Sequence, residues 1–485
     1  MTLSLYNTRS KQKEVFKSLR EGVVSMYVCG PTVYDLLHIG NFRGVIFFNV
    51  VRNWLEHLGY SVKYVLNFTD IDDKIIVRSQ EKNMSASELT EYYIKAFQED
   101  LSLLSITPHD VTPKCTEHMD DIVTFIQGLI AKNVAYEVDG SVFFAVNSFE
   151  SYGQLSGKQL ADLEAGHRVD PHPNKRNPFD FVLWKPAKEG EPCWESPWGD
   201  GRPGWHIECS AMCHAHLGDK IDIHGGGIDL IFPHHENEIA QSECFTEKSF
   251  VSYWMHHNFI RFGDEKMSKS LGNVIKGRDY MTTYDPEILK YLLLSVHYRS
   301  ELNVDTKQTY HAISALTRIY SALRDAQAIM DGCDTVSADF KAMINDCYDK
   351  VANGLNDDFN TPVVFAAIFE CVRSFNHEVT TRKVKDPLLK GAATLFVKCI
   401  QDLGRYFSLF QQSPTDFLKR LDTIMIKELD IDVDYVETLL SERSQARLAK
   451  DFTKADDIRD LLLSKHVILH DGRDGTVWEV NKHFS

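Results

Sequence analysis

A β-rich run, "VVSMYVCG" (Val23 to Gly30), precedes a stretch whose apolar positions recur at helical spacing, "IGNFRGVIFFNVVRNWLEHLG", which closes at Gly59. "SVKYVLNFTD" (Ser61 to Asp70) then reads as a second strand. Strand, loop, helix, strand is one βαβ unit, which predicts a parallel sheet with a right-handed crossover. Ligands of such sheets bind at the carboxyl ends of the strands, where Cys29 and Asp70 fall.

Farther along, Ser85 and Glu88 form a capping box ahead of Leu89, Tyr93, Phe97, Leu101 and Leu104, which recur at helical spacing. "AYEVDGSVFFAV" (Ala135 to Val146) is a hairpin signal with Asp139-Gly140 at the turn. An antiparallel hairpin inside a parallel α/β pattern predicts an inserted subdomain over residues 115–200. Residues 166–203, rich in proline, tryptophan and charge, are expected to be irregular. Helix resumes near Trp205, "KIDIH" leads as a strand into Gly225-Gly226-Gly227, and Pro233 is placed to open the next helix.

From Thr306 to about Phe410 the period is helical, with breaks near Gly332, Gly354 to Pro362 and Thr380 to Pro387. That predicts an antiparallel bundle. "QQSPTDF" (Gln411 to Phe417) reads as a linker. Two helical stretches, near Val433 to Lys450 and Thr453 to Lys465, precede a small terminal hairpin, "VILHDGRDGTVWEV".

The 485 residues suit about three domains, and 43% hydrophobic with 25% charged content is that of an ordinary soluble protein. No apolar run approaches the roughly 20 residues that span a bilayer, and no signal-peptide segment opens the chain, so no membrane association is expected. Ten cysteines lie scattered without C-x-x-C pairing, which argues against a zinc ribbon or a redox motif. With no export signal, a disulfide framework is not expected and the cytoplasm is the default location. The formal charge of −16 excludes a wholesale nucleic-acid coat protein but leaves room for a local basic path.

Candidate chemistry concentrates in four places. "IFPHHENEIAQ" (Ile231 to Gln241) resembles a zinc-peptidase signature, but the second histidine of H-E-x-x-H would stand at 239, which is isoleucine. His234 and Glu238 are one helical turn apart and can grip one cation, although an ordinary polar helix face presents the same pair. Cys29 ends the first strand and Cys209 lies one turn after Trp205; each reads equally well as a small buried hydrophobe. Convergence of Cys29, Cys209, His234 and Glu238 would make a soft, mixed zinc site. "PTVYDLLHIGN" puts His38 and Gly40 at a helix start, where backbone N–H groups and the helix dipole favour a polyphosphate and the glycine lets a nucleotide approach. "EKMSKSLGN" places Lys266 and Lys269 three apart on a serine-bearing loop, a clamp for the charge that develops on a leaving pyrophosphate.

The blocks "YVCGPTVYDLLHIGN", "NFTDIDDKII", "RNPFDFVLWK", "GRPGWHIECSAM", "DIHGGGIDLIFPHHENEIAQSE" and "EKMSKSLGN" resemble, in order, those of the class I aminoacyl-tRNA synthetases, and within them the cysteinyl-tRNA synthetase family. The resemblance is dense from about Met26 to Ser300 and thinner beyond. It implies zinc ligation, one ion per chain, by Cys29, Cys209, His234 and Glu238, an ATP site lined by His38 and Gly40, and a signature loop holding Lys266 and Lys269. The first signature commonly ends in a second histidine; here that position is Asn41, whose amide can donate a hydrogen bond to phosphate but carries no charge. The implied fold is α/β: a Rossmann-like parallel sheet with an inserted α+β subdomain, then a helical bundle and a small C-terminal domain. Expected boundaries are 1–114 and 201–262 for the two catalytic halves, 115–200 for the insert, 263–305 for the signature-loop region, 306–411 for the bundle and 412–485 for an anticodon-recognition domain.

Zinc would suit this activity because cysteine and serine are near-isosteres, and a pocket relying on shape separates such pairs by only about 10²-fold. A soft ion binds thiolate well and neutral hydroxyl poorly. Four protein ligands plus a substrate sulfur make five, so Glu238, the hardest donor, is the ligand expected to yield. The implied reaction activates L-cysteine with ATP and magnesium to cysteinyl-adenylate, then transfers it to tRNA(Cys), with the chain acting as a monomer. Trp205, His206, His224 and Asp229 are candidates for the cysteine pocket, Asp229 toward the substrate ammonium. Trp478 is a candidate to stack on anticodon bases, and Lys450, Lys454 and Arg459 to meet phosphates. A cysteine ligase acting on a small amine is the alternative, and a zinc hydrolase a more distant one.

Overall fold

A computed structural model of the chain describes residues 2–158, 175–262, 265–266, 275–472 and 475–482, with the backbone path alone at 262, 265 and 266. Its centre is a parallel sheet in the order Val251–His257, Ile221–Gly227, Val23–Val28, Ser61–Leu66. Strand alternation divides the interior in two. Val24, Met26 and Val28 face one core with the Ile39–His57 helix, and Tyr27 faces the other with the Trp205–Leu217 and Glu236–Thr246 helices. Burying side chains such as Phe48 or Val24 contributes about 1.5–3 kcal/mol each. Chain order reverses between Val23–Val28 and Ile221–Gly227, so a crevice opens at the carboxyl ends of those two strands.

The predicted βαβ unit is present, with the first helix ending at His57 and Gly59 at φ 91° after it. The Ser85–Glu88 capping box is formed, and the Asp139-Gly140 turn has both residues at positive φ, 50° and 76°. That hairpin continues into a four-stranded antiparallel sheet, Ala135–Val138, Ser141–Phe144, Phe181–Pro186 and Gly201–Pro203. The expectation of irregular structure over 166–203 therefore fails at 181–186 and 201–203. Leu183 and Trp184 are fully buried in the insert's core, and the charged and proline neighbours that masked the pattern lie outside it. Residues 159–174 lie outside the described residues.

The bundle comprises the helices Thr306–Ile329, Ala338–Asn356, Thr361–Thr381, Pro387–Arg405 and Pro414–Glu428. The last of these corrects the linker expected at Gln411 to Phe417. Phe417, Leu421 and Met425 are buried in the main core, and Phe417 packs on Tyr320 with ring centroids 4.1 Å apart. Pro414 occupies the first turn of that helix, a position it favours, rather than breaking the chain. A separate small core of Val436, Leu439, Ile458, Leu462, Val467 and Leu469 joins the Val433–Leu448 and Phe452–Ser464 helices to the terminal hairpin. Asp422 fastens that unit to the bundle, accepting from the Val480 N–H at 3.0 Å and Lys482 Nζ at 2.6 Å. No described helix is long and apolar enough to cross a membrane.

Candidate active site and metal centre

The crevice at the sheet reversal is a cavity of about 390 Å³, and Cys29, His38, Gly40, Asn41, Trp205 and Asp229 all line it. Residues separated by up to 200 positions in the chain thus share one space.

His38 is the N-cap of the Ile39–His57 helix, and its backbone N–H donates to Asn41 Oδ1 at 3.1 Å. Asn41 therefore completes a capping box, and its amide NH₂ remains the end that can donate. The glycine at 40 also shapes its own helix start. A Cβ there would lie 2.9 Å from the His38 ring, so Gly40 lets the imidazole fold back over the first turn. Arg43 holds this helix in place: its guanidinium donates to the carbonyls of Asn258, Phe259, His297 and Ser300 at 2.6–3.2 Å, and burial lowers its pKa to about 10.

The signature-loop lysines are only partly reached. Lys266 pairs with Arg261 in a short antiparallel ladder, described as backbone, and Lys269 lies outside the described residues. Where description resumes, Ile39 N donates to the Ile275 carbonyl at 3.1 Å and Gly277 N to the Leu37 carbonyl at 2.8 Å. Residues 275–277 are thereby tied to the His38 helix start.

Deeper in the crevice, ligand atoms of Cys29, Cys209, His234 and Glu238 lie within 4.8 Å of one another. Cys29 directly follows the Val23–Val28 strand; Cys209 sits on the Trp205–Leu217 helix; His234 Nε2 meets Glu238 Oε1 at 3.0 Å across one turn. Phe232 is extended (φ −139°, ψ 129°), so the turn that runs into the Glu236–Thr246 helix starts after it, at Pro233. The pair keeps its helical spacing.

A second set, Cys29, His224, His235 and Glu238, satisfies the same distance. Each of its imidazoles, like His234 in the first set, has a nitrogen bonded to a neighbouring side chain. His224 Nε2 is 2.8 Å from Glu238 Oε2, and His235 Nδ1 is 2.7 Å from His256 Nε2. His224 and His206 are not among the residues that line the cavity. His224 is wholly buried behind Glu238, and His206 Nδ1 lies 2.9 Å from His234 Nδ1. Both orient a neighbouring donor, the arrangement metal-binding imidazoles and carboxylates ordinarily have.

Electrostatics agree with a cation-binding set. The Cys29 thiol donates to Cys209 at 3.8 Å, which lowers Cys209 to about 6 and leaves one proton between two sulfurs. Burial opposes charge on Glu238, but His224 and His234 outweigh it and hold the carboxyl well below its usual range. Burial likewise opposes charge on His234, yet Glu238 and Cys209 raise it to about 10. Two sulfurs, one imidazole and one carboxylate around a point fit a borderline-soft divalent ion.

A family model described as the class I (C) tRNA synthetase catalytic domain matches residues 15–314, and a DALR domain matches residues 350–411. A cysteine–tRNA ligase of Bdellovibrio bacteriovorus is 49% identical over 481 residues, covering 99% of this chain and 100% of that protein. This chain belongs to the cysteine–tRNA ligase family. Another member, from Geotalea daltonii, is 44% identical over 493 residues, covering 99% of this chain and 100% of its own. The fold is also that of a Mycobacterium tuberculosis methionyl-tRNA synthetase solved with methionyl-adenylate, at a TM-score of 0.61 and 13% identity, over 81% of this chain and 94% of that one.

Against that family background, the residues missed by sequence reasoning are His235, His256, Arg43 and Asn67. Asn67 Oδ1 accepts from the Gly30 N–H at 3.0 Å, and a Cβ on Gly30 would overlap the Asn67 carbonyl. The doublet at His234-His235 was a legible signal for one of them; nothing in spacing marks the other three.

Proposed function

We propose that this cysteine–tRNA ligase selects its amino acid through a zinc ion held by Cys29, Cys209, His234 and Glu238, beside an ATP site at the start of the Ile39–His57 helix. The observation that carries the reading is that Cys29, Trp205 and Asp229 line the same cavity as His38, Gly40 and Asn41. When bound, zinc supplies preference for a thiolate sulfur over a neutral hydroxyl. His206 and His224 keep His234 and Glu238 oriented, Trp205 covers the His234 ring, and Asp229 offers a carboxylate to the substrate ammonium.

With the cysteine so placed, its carboxylate faces the helix start. Backbone N–H groups there, the His38 ring and the Asn41 amide stabilise charge on the ATP phosphates as the carboxylate attacks the α-phosphate and pyrophosphate leaves. Lys266 and Lys269 complete the clamp on the leaving group, with magnesium accompanying the nucleotide. Positioning carries the reaction, and no protein nucleophile takes part. Transfer of the cysteinyl group to tRNA(Cys) follows, with the bundle and terminal unit reaching the tRNA body. The protein works as a monomer in the cytoplasm.

The test is pyrophosphate exchange followed by charging. Exchange should depend on cysteine, discriminate strongly against serine, and lead to charged tRNA. Equal exchange with serine would overturn zinc selection. Exchange without charging would favour a ligase acting on a small amine.

A further inference from the structure

Three cysteines outside the active site turn toward one point. Cys347 on the Ala338–Asn356 helix, Cys371 on Thr361–Thr381 and Cys399 on Pro387–Arg405 bring their sulfurs within 4.8 Å of one another. The three helices pack mutually, and the thiols are 3%, 0% and 0% exposed within the main apolar core. A packing role asks only for a small apolar side chain at each position. It does not require three sulfurs from three helices to share one centre.

We propose that this trithiol cluster is a binding site for a single soft, three-coordinate ion of the trivalent arsenic class. Number and charge of donors decide the occupant. The metal-ligating set contains three sulfurs and no histidine or carboxylate among the described residues, so a zinc ion, which seeks four donors, is better served in the crevice. Copper(I) on three thiolates leaves a net charge of −2 in an apolar interior, which burial strongly opposes. Arsenous acid does not: As(OH)₃ and three thiols give As(SR)₃ and three waters, each S–H proton leaving with one hydroxide. No electron is transferred and the bound product is neutral.

A cleft lies beside the cluster. Tyr348 and Lys398, the chain neighbours of Cys347 and Cys399, line a cleft of about 690 Å³ with Trp54, His57 and Asp402. The Tyr348 hydroxyl donates to Asp402 Oδ2 at 3.4 Å on the wall of that cleft.

The experiment uses the full-length, zinc-loaded, fully reduced protein with sodium arsenite, read by intact mass under native conditions and by counting reactive thiols after unfolding. One arsenic should add per chain with loss of three hydrogens, and three thiols should disappear. Cys347→Ser, Cys371→Ala and Cys399→Ser should each weaken retention by ~10²-fold or more, since each removes one intramolecular attachment. Cys209→Ser should leave the uptake unchanged, which separates this site from the zinc centre. No adduct at excess arsenite, an adduct that survives all three bundle variants, or one lost in Cys209→Ser would overturn the assignment. Copper(I) capture against a competing chelator, with arsenite refused, would overturn the charge argument.

Discussion

The Trp205 indole lies against the His234 imidazole, ring centroids 4.3 Å apart and planes 27° from parallel. On its other edge His234 meets His206, so the ring is held from two sides before any ion arrives. Trp205 is 40% exposed and lines the cavity, an unusual place for a tryptophan whose only task is packing.

Trp205→Ala should therefore raise the KM for cysteine ~10-fold, with zinc content largely kept, because the wall is lost and the ligands stay. Steady-state exchange at varied cysteine, alongside elemental analysis, separates the two. An unchanged KM would return Trp205 to a packing role.

Cys209→Ser removes one of two sulfur donors from a set whose members lie within 4.8 Å. Zinc per chain should fall from about one toward zero on dialysis against a chelator, and cysteine-dependent exchange should drop ~10²-fold or more. Full retention of both would remove Cys209 from the ligand set.

Lys269→Ala should slow adenylate formation ~10²–10³-fold in single-turnover measurements while zinc content stays constant, as expected when one transition-state contact is lost. A rate equal to the parent's would show that Lys269 does not meet the leaving pyrophosphate.

Truncation has to respect the Pro414–Glu428 helix, whose Phe417 and Leu421 belong to the bundle core. Ending the chain after Asp430 removes the unit with its own small core, together with Val480, which that unit places in the main core. Pyrophosphate exchange should persist and tRNA charging should weaken. Trp478 is lost with this unit, although its indole N–H is bonded to Glu437 at 2.9 Å, which ties the ring to its own domain. Unimpaired charging by the folded, shortened protein would assign the terminal unit another role.

His109 offers a pH test away from the proposed metal ligands. Burial, with the Arg52 charge adding, lowers its pKa from 6.5 to about 4, while Asp110 opposes; its ring packs edge-on to Tyr64 at 4.6 Å. The unfolded chain takes up a proton below about 6.5 that the native state refuses until about 4. Stability is therefore present above pH 6.5 and lost as the pH falls toward 4, by up to ~3 kcal/mol. His109→Phe should flatten that acid limb in urea titrations at pH 7 and 4.5. Identical pH dependence in the two proteins would rule it out.

Much of this molecule was open to reading in one dimension. The βαβ unit, the Asp139-Gly140 hairpin and the Ser85 capping box follow from periodicity and turn chemistry, which act between residues a few positions apart. The His234–Glu238 spacing did too, since one helical turn sets it. What only the tertiary structure decided is convergence and facing. Whether Cys29 and Cys209, 180 positions apart, meet depends on how a helix packs against a sheet edge. That His224 lies behind Glu238 rather than on the cavity depends on which face of its strand the core takes. The Pro414 helix read as a linker because proline and serine mark both a break and a helix start, and burial of Phe417 against Tyr320 settles which. Local propensity proposes each element; the competition for buried area among distant segments chooses its partners.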